Sequence, residues 1–400
     1  MRILFLCAFV PYPVRDGDCV RADLMLRLLS RRHKVYGFFL DPRGKGVVPA
    51  EAKRHCEEAV AVPVGYRHML MGGLRGLALG HPLNAGSFWS GRAWRRLKKC
   101  IRRWRVDGLH VHRLRMMPYA ERLDKPFILD ATDSMASYFK LVKDQPWGWR
   151  RFYARLDYPA LRHYERKWAN MSAACLAITS VEQDKIEKLG VRKPVLVVPN
   201  GFDPGRWRFV GPADRGREAL FLGNLDYPVN AKGLEWFLKE IAPRVARLAP
   251  GARLTVAGGG RTGRFRKFLE KAGMDVEFTG YVKDPRVLLH RASVMLCPLP
   301  QAVGLQNKAV QAFACGAPVV GTTNVARALG AEPGVEMFVA DDPEMFARMT
   351  ARIIRDRGLR GRLARAGRRL AVLNFSEASA ARSLERAEAI LAREVRQGGR

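Results

Sequence analysis

The chain has 400 residues, and its 48% hydrophobic content can bury a large core, so the length predicts two domains. No apolar stretch approaches the ~20 residues that a membrane-spanning helix needs, so none is expected. The seven cysteines are scattered without Cys-x-x-Cys spacing, which is typical of free thiols in a reducing cytoplasm and argues against a disulfide framework or a zinc site.

The net charge of +32 is the strongest compositional feature of the chain. Residues 1–200 carry 37 Lys and Arg against 18 Asp and Glu, a net +19, and residues 201–400 carry 33 against 20, a net +13. This balance favours polyanionic partners, namely nucleic acid, an anionic membrane face or phosphorylated substrates. A GC-rich genome, which encodes arginine often, is the plainer explanation.

The first half begins like a parallel α/β domain. Residues 3–9 and 34–40 are strand-like apolar runs with a helical pattern between them, which predicts a βαβ unit. Prolines and charges at residues 11–18 argue against a signal peptide, so we expect the first run to be a buried strand. Gly17 stands in the first strand-to-helix loop, where a glycine lets a ligand approach the backbone.

Two later segments combine aromatic and basic residues. Residues 91–105 predict an amphipathic helix in which Trp94 and Trp104 share the apolar side while Lys and Arg cover the rest. Residues 147–155 repeat the combination, with Trp147 among arginines. We interpret the tryptophans of the helix as packing on the sheet and the charges as facing anionic lipid headgroups. Residues 41–90, with an apolar patch at 69–79, permit no assignment.

Three further strand-like runs follow at residues 108–111, 126–129 and 173–179. Polar residues come directly after them, at His112, Asp133, and Ser180 or Glu182. Because ligands gather at the carboxyl ends of parallel strands, these are candidate site residues. Each has an alternative: His112 as a satisfied interior histidine, and Asp133 and Ser180 as N-caps of the helices that follow.

A strand at 195–198 and a Pro-Asn-Gly turn at 199–201 end the first predicted domain. The alternation then starts again, with strands expected at residues 219–222, 253–257, 276–279, 293–299 and 318–321 and a long helix at 231–248. Asp342 is the predicted N-cap of a helix with Pro343 at its first position. The final segment, 376–395, is expected to fold back on the first domain.

The stretch 297–318 predicts a strand end, a loop over 300–306, and a helix that opens near Asn307 and stops at Gly316. Free backbone N–H groups at a helix start favour an anion. Lys308 opposes the helix dipole in the first turn, which makes sense if a phosphate binds there. A plain strand-to-helix connection with a solvated lysine is the alternative.

Several segments in this frame resemble the GT-B glycosyltransferases, specifically family 4. The matching segments are Pro-Asn-Gly at 199–201, FLGNLDYPVNAKG at 221–233, VAGGG at 256–260, FTGYV at 278–282 and GLQNKAVQAFACGAPVV at 304–320. The last resembles the family's G-x-x-x-K-x-x-E-A-x-A-x-G-x-P-V-V donor signature. Residues 1–21 and ILDATDS at 128–134 resemble a subgroup found with bacterial exosortase and exopolysaccharide loci.

The resemblance implies an α/β GT-B architecture, with two Rossmann-like domains facing across a cleft and a C-terminal helix crossing back to the first domain. It implies an acceptor-binding domain at 1–198 with the helix at 376–397, and a nucleotide-sugar donor domain at 199–375. The implied activity is metal-independent hexosyl transfer, without a cofactor, to a lipid-linked or saccharide acceptor in exopolysaccharide or cell-envelope glycan synthesis. The charge adds a cytoplasmic location, peripheral at the inner, anionic face of the cell membrane.

The resemblance and the strand-end positions together assign roles to individual residues. Asp133 and His112 are the predicted catalytic residues, and Asp18 and Arg21 are the predicted acceptor-binding residues. The predicted donor-binding residues are Gly17, Gly223, Asn224, Lys232, Gly259, Tyr281, Val282, Gly304, Leu305, Gln306, Asn307, Lys308 and Gln311. No metal ligand is expected.

The chain departs from the family pattern at three positions. Gln311 stands where the family has Glu, Val303 stands where it has a second carboxylate, and Asn224 stands where it has Arg. A glutamine can donate and accept hydrogen bonds but carries no charge. These changes predict an altered donor preference, with an inactive enzyme as the alternative.

Two other classes of function stay open at this stage. A GT-B-shaped nucleotide-sugar epimerase would use the same cleft and act on the donor alone. A basic nucleic-acid-binding protein is favoured only by charge, and the sequence has no recognisable recognition motif. No nucleic-acid partner is therefore expected.

Overall fold

The computed structural model of the chain describes residues 1–398 except 15, 43, 66–71, 74–75, 77–79, 145–147, 212–215 and 302–303. Of Trp149 and Arg150 it describes the backbone alone. The interpretations that concern Trp147, Val303 and most of the apolar patch at 69–79 lie outside the described residues.

The chain divides into two compact units, each built on one parallel sheet. The first unit is Met1–Asn200 with Ala380–Arg400, and the second is Gly201–Ser379. Helices connect the parallel strands in both units, as the alternating sequence pattern predicts. The α/β class and the two Rossmann-like domains are confirmed.

The sheet of the first unit has the strand order β3-β2-β1-β4-β5-β6-β7. The strands are β1 (Arg2–Cys7), β2 (Lys34–Asp41), β3 (Glu58–Pro63), β4 (Gly108–His112), β5 (Phe127–Thr132), β6 (Ala174–Ala177) and β7 (Val195–Val197). The six strands expected from the sequence are confirmed. The edge strand β3 was missed, because Ala and Val alternate there with no polar side to mark the period.

The helices of the first unit are α1 (Gly17–Ser30), α2 (Ala50–Lys53), α3 (Leu83–Gly86), α4 (Gly91–Trp104), α5 (Met117–Ala120), α6 (Met135–Lys143), α7 (Trp149–Met171) and α8 (Ser180–Glu187), with a 3-10 turn at Leu114–Met116. In α4, Leu97 and Trp104 are buried against the sheet while Trp94 is half-buried. The packing interpretation of these tryptophans is therefore confirmed for Trp104 and holds in part for Trp94. Among the described helices, none is long and apolar enough to cross a bilayer.

The sheet of the second unit has the order β10-β9-β8-β11-β12-β13. Its strands are β8 (Glu218–Leu222), β9 (Arg253–Ala257), β10 (Asp275–Gly280), β11 (Val294–Cys297), β12 (Val319–Gly321) and β13 (Met337–Val339). The five strands expected here are confirmed, and β13 was missed because three residues give too short a pattern to detect.

The helices of the second unit are α9 (Pro228–Trp236), α10 (Ala242–Leu248), α11 (Arg266–Ala272), α12 (Arg286–Arg291), α13 (Asn307–Cys315), α14 (Thr323–Leu329), α15 (Pro343–Arg355) and α16 (Arg357–Phe375). A π-helical segment, Phe237–Ile241, joins α9 to α10, so the predicted long helix exists and begins slightly earlier. A 3-10 turn lies at Gly263–Phe265. Asp342 caps α15 by accepting from the Met345 N–H, as predicted.

The last helix, α17 (Glu377–Gly398), belongs for most of its length to the first unit. Its Leu384, Ala387 and Leu391 are buried in one cluster with Ile3 and Ile128 of the first sheet. The expectation that the C-terminal segment returns to the first domain is confirmed.

Candidate functional site

The strand order of the second sheet creates a switch point between β8 and β11. From β8 the chain proceeds to β9 and β10 on one side, and from β11 to β12 and β13 on the other. The loops that leave β8 and β11 therefore diverge and open a crevice at the carboxyl edge, which is where open α/β sheets bind ligands. Gly223 and Asn224 follow β8, and the loop that leads to α13 follows β11.

Lys308 lies in the first turn of α13 and reaches the loop after β8. Its Nζ donates to Asn230 Oδ1 at 2.6 Å and lies 5.1 Å from the centre of the Phe221 ring. Asn230 in turn donates to the backbone oxygen of Asn224 at 2.9 Å. The lysine is half-buried, and burial lowers its pKa to about 8. In the described part of the chain, no carboxylate pairs with the Lys308 ammonium group. Its charge can therefore pair with a bound anion.

The start of α13 adds backbone dipoles to this positive charge. The helix begins at Asn307, and Gln306 occupies the N-cap position without a side-chain cap hydrogen bond. Gly304, which precedes it, has φ 65°, a conformation that glycine adopts without strain. The N–H groups of Asn307 and Ala309 already donate to the carbonyls of Leu305 and Gln306, so it is the helix dipole that adds to the lysine charge in favouring an anion here. The helix ends at Gly316 with φ 77°, as the sequence predicts.

Glycines allow the ends of β8 and β9 to approach closely. Gly258 has φ 147°, and a Cβ there would collide with the Gly223 carbonyl. Gly259 differs, because a Cβ at that position would meet nothing within 4 Å and its φ is not in the left-handed region. The fold itself therefore does not require glycine at position 259. A ligand that passes close over this backbone would require it.

Other predicted donor-binding residues lie around this crevice or away from it. Leu305 is buried and Gln311 is half-buried on α13, where Gln311 has no side-chain partner among the described residues. Lys232 is exposed on α9. Tyr281, which is 77% exposed, and Val282 follow the edge strand β10, two strands away from β8. Direct contact with a donor is therefore better supported for the residues after β8 and β11 than for Tyr281 and Val282.

The first sheet has its own switch point, between β1 and β4, and Arg113 occupies it. The Arg113 guanidinium contacts Asp18 on α1, and its Nη1 lies 3.5 Å from Asp133 Oδ2 after β5. The ion pair with Arg113 holds the pKa of Asp18 below its usual value, although burial alone would raise it. Arg113 was missed by the sequence reasoning, because only the fold brings residues 18, 113 and 133 together.

The backbone at this switch point departs from ordinary geometry. Arg113, directly after β4, has φ 70°, and Thr132, at the end of the neighbouring strand β5, has φ 64°. Such conformations cost roughly 1–3 kcal/mol each and persist only where the surrounding structure imposes them. One of these residues is Arg113 itself and the other, Thr132, directly precedes Asp133. Such backbone conformations next to charged side chains are typical of a functional site.

Asp133 is not the N-cap of the helix that follows it, so that alternative is wrong. The cap is Ser134, whose Oγ accepts from the Ser137 N–H at 3.2 Å. Asp133 Oδ1 is buried and has no hydrogen-bond partner. Burial raises the pKa of this carboxyl despite the opposing charge of Arg113. The side chain is thus left for a role outside the packing of α6.

Two buried glutamates fix the start of α6 next to Asp133. Glu165 accepts from the N–H groups of Met135 and Ala136, at 3.1 and 2.7 Å, and burial raises its pKa to about 7. Glu182 accepts from the Ser134 N–H at 2.9 Å. Glu182, a candidate site residue in the sequence, therefore holds the loop that carries Asp133. The alternative that Ser180 is an N-cap is also wrong, because Thr179 caps α8.

Arg21 does not lie where an acceptor could reach it, which corrects its predicted role. It is fully buried and binds Asp130 through Nε and Nη2, at 3.0 and 2.9 Å, and the Val198 carbonyl through Nη1. Both partners, Asp130 and Val198, are fully buried in the interior of the first unit. Arg21 therefore stabilises the fold.

His112 belongs to the same buried network. Its Nδ1 lies 3.2 Å from Asp130 Oδ2, its ring is fully buried, and burial lowers its pKa. The interior-histidine alternative is thus supported at Nδ1, while Nε2 is buried without a partner. Gly17 begins α1, where Asp16 already accepts from the Cys19 N–H at 2.9 Å. The geometry favours Asp133 over His112 as the reactive group.

Comparisons with known proteins agree with this geometry. The sequence model of the Glycosyltransferase Family 4 domain matches residues 22–206, and that of Glycosyl transferases group 1 matches residues 216–356. The structure is similar to that of Anabaena HepE in complex with UDP-glucose, with a TM-score of 0.69, 14% identity, and coverage of 97% of this chain and 99% of that one. The chain belongs to the GT-B glycosyltransferases.

Two curated relatives of this GT-B chain are more similar in sequence and match over shorter stretches. An uncharacterised protein in the cps region of Klebsiella pneumoniae is 23% identical over 223 residues, which cover 54% of this chain and 56% of that protein. A glycogen synthase of Mycobacterium tuberculosis is 27% identical over 267 residues, covering 62% and 58%. The match thus spans little more than half the length of each relative.

The described residues of this GT-B chain contain no cluster of three or more His, Cys, Asp or Glu side chains that could hold a metal ion. The groups that the structure brings together are Lys308, Asn230, Asn224 and the α13 start in one unit, and Asp18, Arg113 and Asp133 in the other. Asn230 was missed by the sequence reasoning, although it lies inside the quoted 221–233 segment. The sequence shows only a polar amide within that segment, and the burial of Asn230 comes from the fold.

Proposed function

We propose that the chain is a metal-independent glycosyltransferase that moves a hexosyl unit from a nucleotide-diphosphate sugar to a saccharide or lipid-linked acceptor. The observation that carries this proposal is Lys308, a half-buried cation at a switch point whose hydrogen-bond partner is a neutral amide. The similarity to HepE, which was solved with UDP-glucose, supports a nucleotide sugar as the ligand.

The chemistry needs positive charge at one place and a proton acceptor at another. The bond between the sugar C1 and the phosphate oxygen breaks, and its electron pair stays on the departing diphosphate. Lys308 and the start of α13 neutralise that charge. The acceptor oxygen bonds to C1, and its proton goes to the Asp133 carboxylate or to the departing phosphate. Asp18 and Arg113 hold Asp133 in place through the contact of Arg113 with both carboxylates.

The donor sugar can be identified by a direct screen of nucleotide sugars. Gln311 and Asn224 replace charged residues of the family pattern, which favours an unusual donor. The similarity to a cps-region protein supports a role in exopolysaccharide or cell-envelope glycan synthesis. A thermal-shift screen of nucleotide sugars identifies the donor, since a ligand that binds only the folded state raises apparent stability.

Lys308→Ala is expected to weaken binding of the donor found in that screen by roughly 1.5–3 kcal/mol, the range for hydrogen bonds to charged groups. Calorimetry with intact, folded protein measures the effect. Because the pKa of Lys308 is about 8, donor affinity of the wild-type chain should also fall about tenfold between pH 7 and pH 9, as the free lysine loses its proton.

Two variants control this experiment. Lys308→Arg keeps its charge over the whole range, so any binding it retains should not depend on pH between 7 and 9. Lys271→Ala removes an exposed lysine near the end of α11 and should change affinity little. Unchanged donor affinity in Lys308→Ala, with the fold intact, would sink the assignment.

We also propose that the first unit attaches to an anionic membrane surface, through a face formed by α6 and α7. The two helices pack together, with the Phe139 and Tyr153 rings 5.7 Å apart. Their outer sides expose large apolar residues, among them Phe152 at 68% and Leu156 at 59%. Lys140 and Arg155 are exposed on the same helices. Apolar residues flanked by cations are typical of segments that enter the headgroup region.

Phe152→Ser with Leu156→Ser is expected to weaken binding to vesicles of mixed anionic and neutral lipid by roughly tenfold, because each side chain loses part of ~1.5–3 kcal/mol of burial. Binding of the wild-type chain should fall with salt and require the anionic lipid. Leu373→Ser removes an equally exposed leucine from α16 and is the control. Equal binding to neutral vesicles, or none to either, contradicts the proposal.

A further inference from the structure

A groove with a cavity volume of about 550 Å³ runs beside the edge strand β3 of the first sheet. Residues 59–63 of the strand form one wall, and basic side chains of α4 form the other. The basic residues are Arg92, Arg95, Arg96 and Lys99. Gly46 and Val48 complete the lining, so the described lining residues include no acidic side chain.

The groove follows the backbone edge of β3 and does not lie on one face of the sheet. Ala59 and Ala61 pack with the cluster on one side of the sheet, and Val60 and Val62 pack with the cluster on the other. Residues of both sets line the groove, which is possible only if the groove runs along the strand edge itself. Among the strands that the structure describes, β3 pairs with β2 alone, so it stands at the end of the sheet. An unpaired edge is a template for a further strand.

The basic wall is unusual for a helix surface. Positions 92, 95, 96 and 99 have the spacing that puts side chains on one side of a helix, where like charges repel. All four are exposed, and within the described structure none of them forms an ion pair. Arg103 on the same helix differs, because it contacts Glu58 at the start of β3. The groove thus concentrates positive charge that the chain itself does not neutralise.

We propose that this groove binds an acidic segment of a partner protein, which adds to β3 as an extended strand. Side chains on one face of a strand recur about every 6.6–7 Å, and residues four apart on a helix are displaced by about 6 Å along its axis. Two acidic residues at alternate positions of the added strand are therefore spaced to pair with Arg92 and Arg96, or with Arg95 and Lys99. Main-chain hydrogen bonds supply affinity and the cations supply specificity. This inference does not depend on the proposed transferase activity.

The probe is a synthetic seven-residue peptide with Glu and Val alternating, labelled and titrated with the full chain by fluorescence polarisation. Two N-methylated versions are compared, one blocked at the alternate N–H groups that face β3 and one at the other set. We expect one version to lose at least tenfold in affinity and the other to bind like the parent peptide. Equal affinity, or equal loss, in both versions would show that no strand pairing occurs and would overturn the proposal.

A pair of double variants tests the basic wall. Arg95→Ser with Lys99→Ser removes two cations that line the groove, and Lys98→Ser with Arg102→Ser removes two from the same helix, at the same spacing, that do not. The first should lose at least tenfold in peptide affinity and the second should change little. Equal losses indicate unspecific electrostatic attraction, and loss of vesicle binding without loss of peptide binding assigns the wall to the membrane. Either outcome contradicts the proposal.

Discussion

Asp133→Asn is expected to retain stability and donor binding but to lose glycosyl transfer by ~10²-fold or more. An acceptor hydroxyl must give up its proton as it attacks, and an asparagine cannot take it. The structure favours this role because Asp133 Oδ1 is buried without a partner and burial raises the pKa of the group. Transfer should be measured with the donor identified in the nucleotide-sugar screen, at saturating concentration.

Ser134→Ala provides the matched control for this prediction. Ser134 is the N-cap of α6, so its loss should cost ~1 kcal/mol of stability and leave transfer nearly intact. The two substitutions thus separate chemistry from capping at neighbouring positions. If the reaction retains the anomeric configuration, the departing phosphate can act as base, and Asp133 orients the acceptor with a smaller loss. A fully active Asp133→Asn protein would remove Asp133 from the site.

Asp130→Ala is expected to lower the free energy of unfolding of the first unit by about 3–5 kcal/mol, the cost of breaking a buried ion pair. Asp130 and Arg21 are both fully buried, and removal of the carboxylate leaves the guanidinium without a counter-charge. Burial alone would raise the pKa of Asp130, but Arg21, His110 and His112 hold it well below its usual value. Urea unfolding, followed by a probe in the first unit, measures the change.

Two comparisons make this result decisive for the role of Arg21. Glu394→Ala breaks a more exposed pair, with Lys193 at 2.8 Å, and should cost at most about 1 kcal/mol. Arg21→Met should destabilise the first unit about as much as Asp130→Ala does. If Arg21→Met instead left stability unchanged and weakened acceptor binding, the original acceptor-binding assignment would stand and the buried-pair interpretation would be wrong.

Local patterns predicted most of the fold because they report on local physics. The stop of α13 at Gly316 follows from the glycine conformation that ends a helix, and the cap at Asp342 follows from its side chain. Apolar runs of four or more residues identified the central strands. β3 escaped detection, since an edge strand of small apolar residues carries no alternation between polar and apolar positions.

The cap of α6 illustrates the limit of local reading. Asp133 and Ser134 are both good N-cap residues, and their order in the sequence does not say which one the helix uses. The structure decides for Ser134, because Glu182 and Glu165 hold the backbone of residues 134–136 from distant parts of the chain. That choice frees the Asp133 carboxyl for another role.

The α/β class, the positions of most strands and the resemblance to GT-B glycosyltransferases follow from the sequence alone, which also singles out Lys308 as a candidate anion-binding residue in its strand-to-helix loop. The burial of Arg21, the contacts of Arg113 with Asp18 and Asp133, and the pairing of Lys308 with Asn230 are visible only in the folded chain. The physical reason is the range of the forces involved. Propensity, capping and periodicity act within a few residues, whereas these contacts join residues that are 20 (Arg113 and Asp133), 78 (Asn230 and Lys308) and 95 (Asp18 and Arg113) positions apart. Only the folded sheets bring them into contact.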